Sequence, residues 1–415
     1  MLDAIIHDVR ARRGPAIPSV CSAHADVLAA SMMLAENLDR PLLIEATSNQ
    51  VNHLGGYTGL SPYQFVADVR QQANVLKCNP DRIILGGDHL GPQVWKAMPA
   101  SKAMAQASEM IMAYADAGFS KIHLDCSEGC AGEPAQVDDV TASKRAAMLA
   151  LVAQAYAPHP DRLSYVIGTE VPPPGGARTD DEGIVVPTSP ESAAATLAAH
   201  EDAFVAAGAG EAFDNVRALV VQPGLEFGAE RVDHFDIAGP DRLSSVLDDH
   251  PSLCFEAHST DYQRTEVYPE LARRNFGILK VGPALTYAWR EAAYALSHIS
   301  NWLGHEAELP EVMSKLMASD PSAWKKHYSD DSQLLWHFGL ADRVRYYWAK
   351  PEAYKAVEVL HDFLESKSPP QSLLEQYLPR KTIERATNLP FPWGRAVLIA
   401  HVQEALLPYF VDQQC

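Results

Sequence analysis

The chain has 415 residues, 47% of them hydrophobic, enough to bury one large core, alone or with a smaller appendage. A formal charge of −19 argues against nucleic acid, because an acidic field repels phosphate backbones, yet a few local donors can still hold a small phosphorylated metabolite. No apolar stretch is long enough to cross a bilayer, no basic region precedes an apolar leader, and the six cysteines lack paired spacing. A soluble cytoplasmic protein with reduced thiols and no membrane partner is therefore expected.

In chain order, eight short apolar runs are expected as strands covered on both faces: 19–23, 42–46, 83–87, 121–124, 164–169, 218–222, 253–257 and 277–281. Helical spacing of apolar residues follows several of them, over 100–117, 142–156 and 190–207, and Gly118 is placed to end the first of these helices. Eight strand-helix repeats point to an α/β fold, a (β/α)₈ TIM barrel over residues 1–295. No glycine-rich dinucleotide fingerprint follows the first strand and no Walker phosphate loop is present, which removes the doubly wound alternatives. Beyond about residue 295 the strand pattern stops. Residues 296–415 are read as an aromatic, helical C-terminal extension packed on the barrel, covering its mouth or forming a contact in a homo-oligomer.

Polar clusters follow nearly every run, where the carboxyl-terminal rim of such a barrel carries its active site. The second run delivers Glu45, Asn49 and Gln50, groups suited to sugar hydroxyls, though also to a solvated turn. The third ends in Asp88 and His89, an acid beside an imidazole that offers proton transfer next to a metal ligand. The fourth delivers Asp125, Ser127 and Glu128. One of the two acids is expected to serve catalysis or substrate while the other caps a helix, and His123, inside the run, is left in the core. Glu170 ends the fifth run, ahead of three prolines and two glycines. A carboxylate there needs a cation or a substrate hydroxyl to meet it.

Gln222 ends the sixth run. In the seventh, period-two alternation puts Glu256 and His258 on one side, with Ser259 following. The eighth gives Lys280 and Gly282, then Arg290 on the next helix, where phosphate is usually held in this architecture or where Arg290 simply forms a salt bridge. His89, Glu170 and His258 come from alternate strands and are expected to share one barrel layer. Two imidazoles and a carboxylate suit a divalent metal such as Zn²⁺, with positions left open for substrate.

The stretches Gly86-Gly-Asp-His-Leu-Gly-Pro92, Ile167-Gly-Thr-Glu-Val171, Phe255-Glu-Ala-His-Ser-Thr-Asp261, Lys280-Val-Gly-Pro-Ala-Leu-Thr286 and Ala341-Asp-Arg-Val-Arg-Tyr-Tyr-Trp348 resemble one family. It is that of the tagatose-1,6-bisphosphate aldolase subunit usually called non-catalytic, also labelled a tagatose-6-phosphate kinase. The resemblance implies a sugar or sugar phosphate as substrate and two alternative functions. One is 4-epimerisation of tagatose 6-phosphate to fructose 6-phosphate; the other is a stabilising role beside a catalytic aldolase subunit. More distantly the strand ends are similar to zinc-dependent class II aldolases. That likeness makes Asp88 the acid/base and His89, Glu170 and His258 the ligand positions. It fails after the sixth strand, where Gln222 stands in place of a zinc histidine. Asp88, Asp125 and Glu128 are the expected proton-transfer groups. The expected substrate contacts are Glu45, Asn49, Gln50, Ser127, Gln222, Ser259, Lys280, Gly282 and Arg290.

Overall fold

The structure, a computed structural model, describes residues 1–170, 185–305, 308–328 and 333–412. Eight parallel strands close into a barrel: β1 (Ile17–Cys21), β2 (Leu42–Thr47), β3 (Ile83–Asp88), β4 (Lys121–His123), β5 (Ser164–Ile167), β6 (Val216–Val220), β7 (Cys254–Ala257) and β8 (Phe276–Val281). Each pairs with its sequence neighbours, and β8 closes on β1 with Ile278 opposite Ile17. The fold is the (β/α)₈ barrel, and every expected run overlaps one of these strands.

Alternation along each strand sorts side chains between lumen and helix layer. At the bottom of the lumen Ile17, Leu43, Ile84, Val166, Ala218, Cys254 and Ile278 form a small apolar cluster, and the helix Leu2–Arg10 inserts Leu2 and Ile6 into it as a plug. Their outward neighbours, among them Val20, Ile44, Leu85, Ile122, Tyr165, Leu219, Phe255 and Leu279, belong to the main core under the surrounding helices. One layer above the plug the lumen turns ionic: Glu45, Lys121, Glu256 and Lys280 are all buried there.

The helix Pro283–Trp302 runs straight through the point where barrel was expected to give way to extension. After it come Leu309–Ser319, Pro351–Glu365, Gln371–Tyr377, Arg380–Ala386 and Trp393–Leu406, a helical C-terminal region sharing one continuous apolar core with the barrel. The helix Trp393–Leu406 is tied to Ala25–Asn37, since Gln403 Nε2 donates to the Ala30 carbonyl at 3.2 Å and Arg395 Nε meets Asp26 at 2.8 Å. Arg290 helps to join the two regions. It is buried over the rings of Tyr287 (4.0 Å), Phe338 (5.4 Å) and Tyr294 (5.5 Å), with Asp342 Oδ1 at 3.9 Å. Among the described residues the five cysteines are free, and no helix is long and apolar enough to cross a membrane.

Candidate active site

The Gly86-Gly87-Asp88-His89-Leu90-Gly91 turn is built by close approach. A Cβ on Gly86 would lie 2.9 Å from Glu45 Cγ, and one on Gly91 would lie 1.6 Å from the Asp125 carbonyl oxygen. Bare backbone at these points lets β2 send a carboxylate inward and lets β3 lean on the end of β4. His89 then takes φ +48° and Ser259 φ +54°, left-handed conformations that cost energy in non-glycine residues and gather at functional sites.

Three imidazoles meet at the top of the lumen. The ring centroids of His89, His123 and His258 are 5.3, 5.2 and 5.2 Å apart, close to an equilateral triangle. Each ring has one nitrogen against a carboxylate: His89 Nδ1 to Asp125 at 2.7 Å, His123 Nδ1 to Asp88 at 3.2 Å, and His258 Nε2 to Glu256 at 3.0 Å. For His89 and His258 a proton on that nitrogen leaves the other with a lone pair, the arrangement that carboxylates impose on metal-binding histidines, whereas His123 Nδ1 also accepts from the His89 amide at 3.2 Å. His123 Nε2 is buried without a hydrogen-bond partner among the described residues. Burial pushes the pKa of both His123 and His258 down to about 4, so both rings are neutral near pH 7.

Beneath the imidazoles lies a floor of paired charge. Lys121 bonds Glu45 closely and Glu256 at 2.8 Å, and Lys280 reaches Asp88, Glu45 (3.0 Å) and Glu256 (3.4 Å). Burial pushes the pKa of Glu45 and Glu256 up, but Lys121 with Lys280 around Glu45, and Lys121 with His258 around Glu256, together hold both below the usual range. Asp88 is fixed on both oxygens, Oδ1 by Lys280 and Oδ2 by the Thr47 hydroxyl at 3.0 Å.

Two groupings have potential ligand atoms within 4.8 Å of one another around the histidines: Asp88–His89–His123 and His123–Glu256–His258. A third, Cys21–Glu45–Asp88, already holds the Lys280 ammonium, and burial raises the Cys21 thiol to about 12, leaving it a poor ligand. The neutral rings, their carboxylate partners and the orphaned nitrogen fit a divalent cation.

The cavity above, with about 150 Å³ of free space, is lined by Asn49, Gln50, Asp88, His89, His258, Ser259, Lys280 and Gly282 from the expected set. Gln50 is largely committed to structure, accepting from the Thr47 amide at 3.1 Å and donating to the Cys21 carbonyl at 3.4 Å. Other expected residues are elsewhere. Glu45 is wholly buried in the ionic floor, because Gly86 opens the space it fills. Asp125 does not face the cavity; it holds His89, with Ser127 Oγ donating to its other oxygen at 2.6 Å. Glu128 points to the surface, paired with Lys96 and Gln93. Gln222 turns back on its own loop, accepting from the Gly224 and Leu225 amides at 2.8 and 3.0 Å. Arg290 sits in the aromatic joint between barrel and extension.

Glu170 does not join the histidines. Its carboxylate accepts from Thr188 and from Ser192 Oγ (2.7 Å), and His123, expected in the core, stands in the cluster instead. The residues that follow it, 171–184, lie outside the described residues. Thr47, Lys121, Arg345 and Tyr346 stand at the site as well, although none of them is among the expected site residues. The last two come from the extension, and Tyr346 meets Tyr57 edge-on at 4.9 Å in the cavity wall. Burial opposes ionisation of the Tyr346 phenol, but Arg343 and Arg345 outweigh it and hold its pKa below the ordinary value.

The description D-tagatose-1,6-bisphosphate aldolase subunit GatZ/KbaZ-like fits residues 2–414. The chain belongs to the GatZ/KbaZ-like family. One relative, named D-tagatose 6-phosphate 4-epimerase from Agrobacterium fabrum, is 46% identical over 409 residues, 96% of this chain and 95% of its own. Another, named D-tagatose-1,6-bisphosphate aldolase subunit GatZ from Escherichia coli, is 44% identical over 373 residues, 88% of each chain. A crystal structure described as a probable tagatose 6 phosphate kinase from Sinorhizobium meliloti superposes with a TM-score of 0.87 at 43% identity, covering 95% of this chain and 99% of that one. GatZ/KbaZ-like proteins thus carry three different activity labels on one fold, and the site must choose among them.

Proposed function

We propose that this chain is a metal-assisted 4-epimerase that converts D-tagatose 6-phosphate to D-fructose 6-phosphate. The observation that carries the reading is the histidine triangle, each ring backed by a carboxylate, directly beside Asp88. The similarity to the epimerase of Agrobacterium fabrum supports it.

Carbon 4 of a 2-ketose is not adjacent to the carbonyl, so its hydrogen is not acidic enough to be removed directly. The open route is retro-aldol: the 4-hydroxyl loses its proton, the C3–C4 bond breaks to an enediolate and an aldehyde, and the aldehyde turns and is re-attacked on its other face. A divalent cation, zinc in this reading, held by His123 together with either His89 or His258, would supply Lewis-acid polarisation of the ketone. Asp88, anchored by Lys280 and Thr47, is the acceptor for the 4-hydroxyl proton. Asp125 keeps His89 in one tautomer and orientation. Of the groups lining the cavity, the Tyr346 phenol, with its lowered pKa, suits the return of a proton to the new alkoxide. Asp125 and Glu128 are turned to other partners and do not serve there.

Purified protein given D-tagatose 6-phosphate should form D-fructose 6-phosphate, read by NMR, with activity lost to a chelator and restored by zinc or another divalent ion. If chelated and metal-loaded samples are equally inert, the proposal fails. The Escherichia coli relative named as an aldolase subunit supports a second reading, a stabilising partner of a catalytic aldolase. On that reading the protein should co-purify with the aldolase and raise its melting temperature, and Asp88→Asn should do so equally well.

A further inference from the structure

The usual phosphate cup of this architecture, the helix start after the eighth strand, is already filled from within. Asp261 Oδ1 accepts from the amides of Gly282 (3.0 Å) and Ala284 (2.8 Å), so the donors that would cradle an anion are spent on the protein's own carboxylate. The cavity's other cations are few. Lys280 is shared among Asp88, Glu45 and Glu256. Arg345 differs, because it lines the cavity and makes no salt bridge among the described residues. It donates to its own turn, at the carbonyls of Ala341 and Asp342 (3.0 Å to the latter), and to the Tyr346 hydroxyl at 2.9 Å. Asp261 and Asp342 feel its charge but lie beyond ion-pair distance.

Neighbouring arginines do not share this position. Arg343 is buried and donates to the Ala323 carbonyl at 2.7 Å, and Arg290 is enclosed by rings beside Asp342. A half-buried guanidinium, held over the Tyr346 ring at 4.5 Å and without an ion-pair partner among the described residues, is prepared for a planar, bidentate grip on an external anion.

We propose that Arg345 is the anchor for the substrate's phosphate, so that the C-terminal extension rather than the eighth-strand helix start selects the phosphorylated sugar. This rests on the epimerase reading for the identity of the sugar, but not for the existence of the anion site. Arg345 is a specificity-determining binding residue, not a proton-transfer group.

Calorimetric titration of the full chain with inorganic phosphate, D-tagatose 6-phosphate and unphosphorylated D-tagatose tests it without requiring turnover. Arg345→Gln should weaken both phosphate ligands by about tenfold to a hundredfold while leaving D-tagatose unchanged. Arg345→Lys, which keeps the charge but not the fork, should recover part of that loss and guards against a folding defect in the first variant. Thermal melting checks that both variants remain folded. Wild-type phosphate binding that survives in Arg345→Gln, or no phosphate binding by the wild type, overturns the proposal. Arg345-dependent binding in a protein that does not convert D-tagatose 6-phosphate would sink the epimerase reading and leave the anion site standing.

Discussion

The Asp125 carboxylate is divided between two donors, His89 Nδ1 on one oxygen and Ser127 on the other, and reaches the chemistry only through the imidazole. Asp125→Asn keeps the shape but offers the ring an amide instead of a carboxylate. Loss of such an outer partner typically costs 10- to 100-fold in metal affinity or activity. Zinc affinity and kcat/KM should both fall within about that range, and a variant matching wild type in both would refute the role. Glu226 carries a pH dependence of its own. Burial pushes its pKa up from 4.5 to about 7, although it accepts from the Phe227 amide. Between those values the folded chain keeps a proton that the unfolded chain releases, so this group's stabilisation is full below about 4.5 and is lost as pH rises through about 7. Glu226→Gln should therefore melt about 2 °C or more above wild type near pH 8, the gap closing toward pH 5. Melting curves that stay parallel across that range would contradict the assignment. Residue type and position at a strand end drew attention to Asp88, His89 and His258, which lie at the cavity or in the cluster. The same cues misplaced Glu45, Glu170 and Arg290, because what decides them is a partner elsewhere in the sequence, Lys121, Thr188 and Asp342 respectively, while Gln222 is taken up by the amides of its own turn.

At the scale of elements, strand alternation converts a linear code into layers. Ile84, Gly86 and Asp88 on β3 step from apolar plug to ionic floor to reactive rim, and Cys254, Glu256 and His258 from β7 onward do the same. The period of two was legible for Glu256 and His258, and it extends to Lys121 and His123 on β4, which the apolar look of that run concealed. The floor is held by reciprocal charge. Lys121→Met would leave Glu45 and Glu256 sharing Lys280 alone, and breaking a buried pair in this way costs about 3–5 kcal/mol. Urea unfolding should show a loss of that order; a loss under about 1 kcal/mol would mean that the floor reorganises freely. The glycines of the β3 turn were readable as strand-ending signals. Their actual reason, room for Glu45 and contact with the Asp125 carbonyl, lies in neighbouring strands.

Across the whole molecule, barrel and extension share one apolar core, with Trp289 against Trp348 at 4.9 Å and Trp289 Nε1 donating to Asp26 at 2.9 Å. A chain ended after Trp302 would expose that joint and remove Arg345 and Tyr346 from the cavity. It should fail to give a soluble product with wild-type near-ultraviolet circular dichroism, and a well-folded truncated monomer would refute the dependence. Helical and aromatic character announced the extension in the sequence. Its contribution to the cavity did not show, because nothing in 341–348 marks which barrel end those side chains will face. The plug of Leu2 and Ile6 has a bearing on retro-aldol chemistry that reaches beyond stability. If the proposed epimerisation runs there, opening C3–C4 puts two separate molecules in the lumen, and recombination must outrun escape. With the far end stoppered and an ionic layer above the stopper, the described residues leave the rim as the way in and out, the side on which the extension stands guard; a blind chamber of this kind favours turning a fragment over rather than releasing it.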